Sequence, residues 1–174
     1  MAEQDSQASQ PAQGSSPDPA QLFPFPLDDF QLEAIDALNQ GHSVVVSAPT
    51  GSGKTLVGEY AIHRAMAHGQ KVFYTTPLKA LSNQKLRDFR EQFGAENVGL
   101  MTGDLSVNRE ASIVVMTTEI FRNMLYAEAD EHDDPLADVE AVVLDECHYM
   151  NDSQRGTVWE ESILSLIHIS EPTR

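Results

Sequence analysis

Cysteine is nearly missing from this sequence: Cys147 stands alone, so no internal disulfide can brace the fold and no paired-thiol metal site can form. Basic residues are scarce too. Eleven Lys and Arg face 27 Asp and Glu, a net charge of −16, which argues against a broad basic face of the kind that grips nucleic acid by its phosphates. No apolar run approaches the roughly 20 residues of a membrane-crossing helix. The opening stretch "MAEQDSQASQPAQGSSPDPAQ" lacks the basic and apolar regions of a signal peptide, so a cytoplasmic chain with no membrane partner is expected.

What the sequence has is enough apolar material, 41% of 174 residues, for one domain with a real core. Residues 1–21 are rich in Gln, Ser, Pro and Ala and poor in large apolar side chains, so they are expected to be disordered, with the fold starting near Leu22. From there, short β-branched runs alternate with helical patterns. The expected buried parallel strands are 43–48, 71–76, 97–101, 112–117 and 140–145. Between them, 27–41, 54–69, 78–94 and 118–129 carry apolar residues at helical spacing, the first three closed by Gly41, Gly69 and Gly94. This alternation predicts an α/β fold, a doubly wound parallel sheet, without internal repeats. The stretch 128–140, "EADEHDDPLADVE", holds seven carboxylates and no Lys or Arg, and reads as a solvated loop that phosphates would avoid.

Chemistry concentrates in two places. "APTGSGKT", residues 48–55, follows a predicted strand and opens a predicted helix, the context of a phosphate-binding loop. Gly51 and Gly53 let the backbone turn its N–H groups inward, and the helix N-terminus adds its dipole. Lys54 would reach the β- and γ-phosphates, and Thr55 would place its hydroxyl on Mg²⁺. The first position of the motif is Ala48 instead of Gly; Thr50 and Ser52 complete the loop. The second place is "VVLDECHYM", residues 142–150, where an apolar run delivers Asp145 and Glu146 to the C-terminal edge of the sheet. An Asp there can hold Mg²⁺, partly through water, while the adjacent Glu orients and deprotonates the attacking water. A transition-metal site built from Asp145, Glu146, Cys147 and His148 is disfavoured, because consecutive side chains at an extended strand end point alternately to opposite sides.

"APTGSGKT" together with "DECH" resembles motifs I and II of superfamily-two helicases of the DExH type, and a P-loop kinase would not account for the ordered set around them. Upstream, "FPFPLDDFQLEAI" resembles the adenine-recognition element of the superkiller-like branch, the exosome-associated RNA helicases; the resemblance implies that Gln31 reads the adenine edge and Phe25 stacks on its ring. "TTPLKALSNQK" (75–85) resembles motif Ia, "TGD" (102–104) the loop after it, and "TTEIFRNML" (117–125) motif Ib. These imply backbone contacts to single-stranded nucleic acid from Pro77, Lys79, Thr102, Gly103, Thr117 and Thr118, although each threonine could equally be a helix cap or turn residue. "YMNDSQRGTVWEE" (149–161) is also superkiller-like.

The resemblance covers residues 22–163 and implies a RecA-like P-loop NTPase lobe. Lys54, Asp145, Glu146 and His148 would be its catalytic residues, with ATP and Mg²⁺ as cofactors. Single-stranded RNA or an RNA duplex end is the expected partner; DNA, or a non-catalytic nucleotide-dependent binding role, is the alternative. The Ser-Ala-Thr strand and the second lobe with its arginine finger are not in this sequence. Because that finger typically supplies about 10³–10⁵ of the rate in related NTPases, this lobe by itself is expected to be a poor ATPase. Residues 164–174, "LSLIHISEPTR", resemble the translation of a sequencing-library adapter, and are expected not to be native.

Overall fold

The computed structural model describes residues 16–127 and 136–147. Five strands form one sheet: β1 (Lys71–Thr76), β2 (Val98–Met101), β3 (Ser106–Val107), β4 (Ile113–Thr117) and β5 (Val139–Leu144), in the order β3-β2-β4-β1-β5. All pairings are parallel except β2 with β3. The helices are α1 (Pro19–Leu22), α2 (Asp29–Asn39), α3 (Thr55–His68), α4 (Lys79–Phe93) and α5 (Thr118–Ala127). Among the described residues, no helix is long and apolar enough to cross a membrane.

The sheet is covered on both faces because alternate side chains of each strand are apolar on both sides. Val72 and Tyr74 of β1 point with Leu100, Ile113 and Val115 toward Ile62 and Ala65 of α3 and Phe89 of α4. Phe73 points the other way, with Val114 and Met116, toward Phe121 of α5. This is the doubly wound arrangement that the alternation of elements predicts. α2 lies over α3, where Phe23, Ile35, Leu56 and Tyr60 form a smaller apolar cluster. Gly69 closes α3 in the left-handed region, at φ +70°, as expected of a glycine stop.

Three expectations are corrected. Residues 43–48 do not form a strand; they run as irregular chain, and Val45 is 96% exposed. Their β-branched composition favours an extended backbone, but a strand exists only where a neighbour supplies ladder hydrogen bonds, and among the described residues none flanks this segment. The fold also begins before Leu22: the Asp18 carboxylate caps α1 by accepting from the Ala20 N–H at 3.0 Å, and the Tyr60 hydroxyl donates to the Pro17 carbonyl at 3.1 Å. Finally, the acidic stretch does not end as a solvated loop. Glu140 lies inside β5, where its carboxylate meets the His68 Nδ1 at 2.8 Å and the Arg64 Nε at 3.1 Å, the latter a charge contact and not an aligned hydrogen bond.

Candidate nucleotide and nucleic-acid site

The direction of α3 decides which groups meet. His68, at its C-terminus, touches Glu140 near the start of β5, whereas a Cβ on Gly58 would lie 3.3 Å from Val143 near the end of that strand. The helix therefore runs antiparallel to β5. Its N-terminus, carrying Lys54 and Thr55, lies at the C-terminal edge of the sheet, the edge at which β5 releases Asp145 and Glu146. The two motifs, some ninety residues apart in the chain, thus share one end of the molecule.

The phosphate-loop candidate has the backbone its glycines were expected to permit. Gly51 and Gly53 adopt φ of +83° and +78°, a region costly for any residue with a Cβ. At Gly53 space is also closed, because a Cβ would come within 2.7 Å of the Gln31 Nε2. The Lys54 ammonium reaches back across the loop, donating to the Ala48 carbonyl and, at 2.8 Å, to that of Pro49. The Ser52 hydroxyl donates to the Pro49 carbonyl at 2.7 Å, while Thr50 stands exposed at the turn. Thr55 opens α3 and is half-buried.

Beside this loop, Gln31 is buried and uses both ends of its amide. Its Oε1 accepts from the Asp28 N–H at 2.9 Å, closing the first turn of α2, and its Nε2 donates to the Gly53 carbonyl at 3.1 Å. Phe25 is 53% exposed, with its ring centroid 6.1 Å from that of buried Phe23, so its outer face is available for stacking.

The carboxylate side is held differently. The Asp145 N–H continues the ladder to the Thr75 carbonyl at 3.0 Å. One carboxylate oxygen, Oδ2, accepts from the Tyr74 hydroxyl at 2.7 Å and lies 3.9 Å from the Lys85 ammonium; the other, Oδ1, accepts from the Glu146 N–H at 2.9 Å. Burial, then the Asp145 charge, pushes the Tyr74 hydroxyl far above its ordinary range, so it remains a donor throughout the physiological span. Glu146 is exposed and adopts φ +59°, which turns the chain off the strand end. Burial and the neighbouring Asp145 also raise the Cys147 thiol, keeping it protonated near neutrality, in the form least suited to bind a metal. His148 lies outside the described residues, as do 149–174. Neither Tyr74 nor Lys85 was singled out from sequence, since a tyrosine in a strand reads as core.

The nucleic-acid candidates also gather at the C-terminal edge. Pro77 leads from β1 into α4, whose first residue is Lys79. Lys79 forms an ion pair with Asp104, which a 3.1 Å hydrogen bond from the Thr102 hydroxyl also holds; these hydrogen bonds, Lys79's foremost, lower the Asp104 carboxyl below the usual range. Gly103 is exposed beside them, and Thr117 closes β4. Thr118 is buried and donates at 3.2 Å to the Thr76 carbonyl, so its hydroxyl ties α5 to β1.

The sequence profile of DEAD/DEAH box helicases matches residues 28–173. The chain belongs to the DEAD/DEAH box helicase family. Within it, this helicase lobe is 58% identical over 144 residues to a probable helicase, HelY, of Mycobacterium tuberculosis, covering 83% of the chain and 16% of the relative. It is 54% identical over 150 residues to the antiviral helicase SKI2 of Saccharomyces cerevisiae, covering 86% and 11%. A chloroplastic DExH-box ATP-dependent RNA helicase, DExH15 of Arabidopsis thaliana, is 57% identical over 145 residues, covering 82% and 12%. The chain thus spans less than a fifth of each relative's length. A crystal structure of a hypothetical ATP-dependent RNA helicase from Sulfolobus tokodaii superposes with a TM-score of 0.59 at 26% identity, covering 81% of this chain and 43% of that one. These relatives agree with the superkiller-like resemblance and with a RecA-like lobe.

Proposed function

We propose that this lobe binds Mg²⁺-ATP and contributes to an ATP-dependent RNA helicase of the superkiller-like DExH group. The observation that carries the proposal is the convergence of the phosphate-loop candidate with Asp145 and Glu146 at one edge of the sheet. The donors suit the cofactors. Magnesium takes hard oxygen ligands and keeps several waters, which the Thr55 hydroxyl and the Asp145 carboxylate can accommodate. When bound, the metal would neutralise charge on the β- and γ-phosphates.

The chain's own groups have separable tasks. Gly51 and Gly53 shape the backbone around the phosphates, and Lys54 exchanges its carbonyl partners for phosphate oxygens, a stronger charge-assisted bond. Gln31, already bonded to Gly53, senses loop and base together, and Phe25 supplies the stacking face. Glu146 takes the proton of the attacking water. Along the same edge, Lys79 is the cation for the nucleic-acid backbone, joined by the exposed Gly103 turn and Thr117; such contacts position a strand without reading its sequence. RNA is preferred to DNA because DExH15 and the Sulfolobus structure are both named as RNA helicases. A cytoplasmic location is part of the same proposal.

ATP-driven strand separation on matched RNA and DNA duplexes, measured on the protein that carries this lobe, tests the substrate class. Preferential unwinding of RNA is expected. Preference for DNA replaces the substrate, and activity on neither duplex overturns the helicase reading.

A further inference from the structure

Tyr74 is 1% exposed, its ring packed edge-on against Phe89 at 4.9 Å between centroids, so its hydroxyl has one fixed direction. That direction ends on the Asp145 Oδ2 at 2.7 Å. The Lys85 ammonium, on α4, sits 5.4 Å from the Tyr74 ring centroid and 5.6 Å from that of Phe89, capping both faces while standing 3.9 Å from the same Oδ2. The Lys85 side chain is only 21% exposed, and a half-desolvated cation beside one carboxylate oxygen is poorly screened by solvent.

We infer that Tyr74 and Lys85 are positioning residues for Asp145 with opposed effects on the metal: the Tyr74 hydroxyl fixes the rotation of the carboxylate, and the Lys85 ammonium balances its charge and is the cation against which Mg²⁺ competes. The inference rests on the Mg²⁺-ATP reading given above. Its physical basis is that a partner orienting a ligand group lowers the cost of assembling the metal site, whereas a fixed positive charge nearby raises it. Removing the two groups should therefore move metal affinity in opposite directions, a pattern that general loosening of the fold cannot produce.

The test is equilibrium binding of a fluorescent ATP analogue to the chain, titrated with Mg²⁺ and repeated in EDTA, with thermal melting recorded for each variant. In Y74F the Mg²⁺ midpoint is expected to rise roughly tenfold, the low end of what loss of such a partner costs, with metal-free affinity unchanged. In K85M the midpoint is expected to fall, and K85R, which keeps the cation, should match the parent. A Y74F midpoint equal to the parent's, or Y74F and K85M moving together, overturns the inference. Should Y74F fail to fold, K85M against K85R decides it, an unchanged or raised K85M midpoint overturning it. A parent chain that binds the analogue no better with Mg²⁺ than in EDTA overturns this inference and the metal part of the reading it rests on, whereas a parent that binds it in neither condition overturns the nucleotide reading itself; the parent titration alone tells the two apart.

Discussion

The phosphate-loop candidate and the end of β5 lie at the same edge of the sheet, yet they are secured in unlike ways. Residues 43–54 have no strand neighbours among the described residues, and the loop is held by its own carbonyls and by one amide, that of Gln31. Asp145, in contrast, is backed by a ladder bond, a buried tyrosine, an aromatic pair and a cation. The difference separates two demands. A carboxylate that must meet a metal gains from being fixed in advance, whereas a loop that must wrap phosphates gains from bonds it can exchange.

Glu146→Gln keeps the shape of the β5 terminus and removes the base, so ATP turnover in the protein carrying this lobe should fall by about 10²–10⁴ while nucleotide affinity stays within about twofold. Surviving turnover would reassign the base. Next, Phe89→Ala removes the wall behind Tyr74 and should lower unfolding stability by about 3–5 kcal/mol in denaturant titration, a loss typical of a buried aromatic. Lys54→Ala attacks the exchangeable side and should weaken ATP binding roughly 10–100-fold by equilibrium titration while barely moving the melting curve. If it melts the lobe instead, the ammonium is a structural strut of the loop.

A smaller effect concerns His63, which lies between Phe23 and Phe93 and whose pKa burial lowers from 6.5, against the opposing pull of Glu59. A histidine depressed in the fold binds its proton more readily when unfolded. Its contribution is therefore whole above pH 6.5 and is lost as pH falls toward the folded value. Melting curves from pH 7.5 to 5 should fall less steeply for His63→Gln than for the parent. Smallest of all, Val45→Ser should change stability by no more than about 0.5 kcal/mol despite the residue's place in a valine run.

Strand β1 was legible because its apolar run lies between two neighbours, but 43–48 is also rich in β-branched residues and has no ladder among the described residues, and pairing is a property of remote residues. The glycines of the phosphate loop could be placed because φ > 0 is a local demand. The Tyr74 to Asp145 bond could not, since it joins positions 71 residues apart and only the register of β1 with β5 brings them together. Glu140 was read two ways in sequence, as the end of a charge run and as the first residue of a strand; it lies in β5, and only the packing of α3 on that strand supplies the Arg64 and His68 that hold it. Likewise α1, four residues long, gives no periodicity to detect.

That Glu140 contact sets the direction of α3. Arg64 is charge-paired to Glu140 and donates at 2.6 Å to the Leu38 carbonyl, and His68 joins from the next turn, so the helix is pinned near its C-terminus to both β5 and α2. The other end of the helix carries Lys54 and Thr55, so the ion pairs on Glu140 fix the axis along which α3 presents those two residues at the C-terminal edge of the sheet.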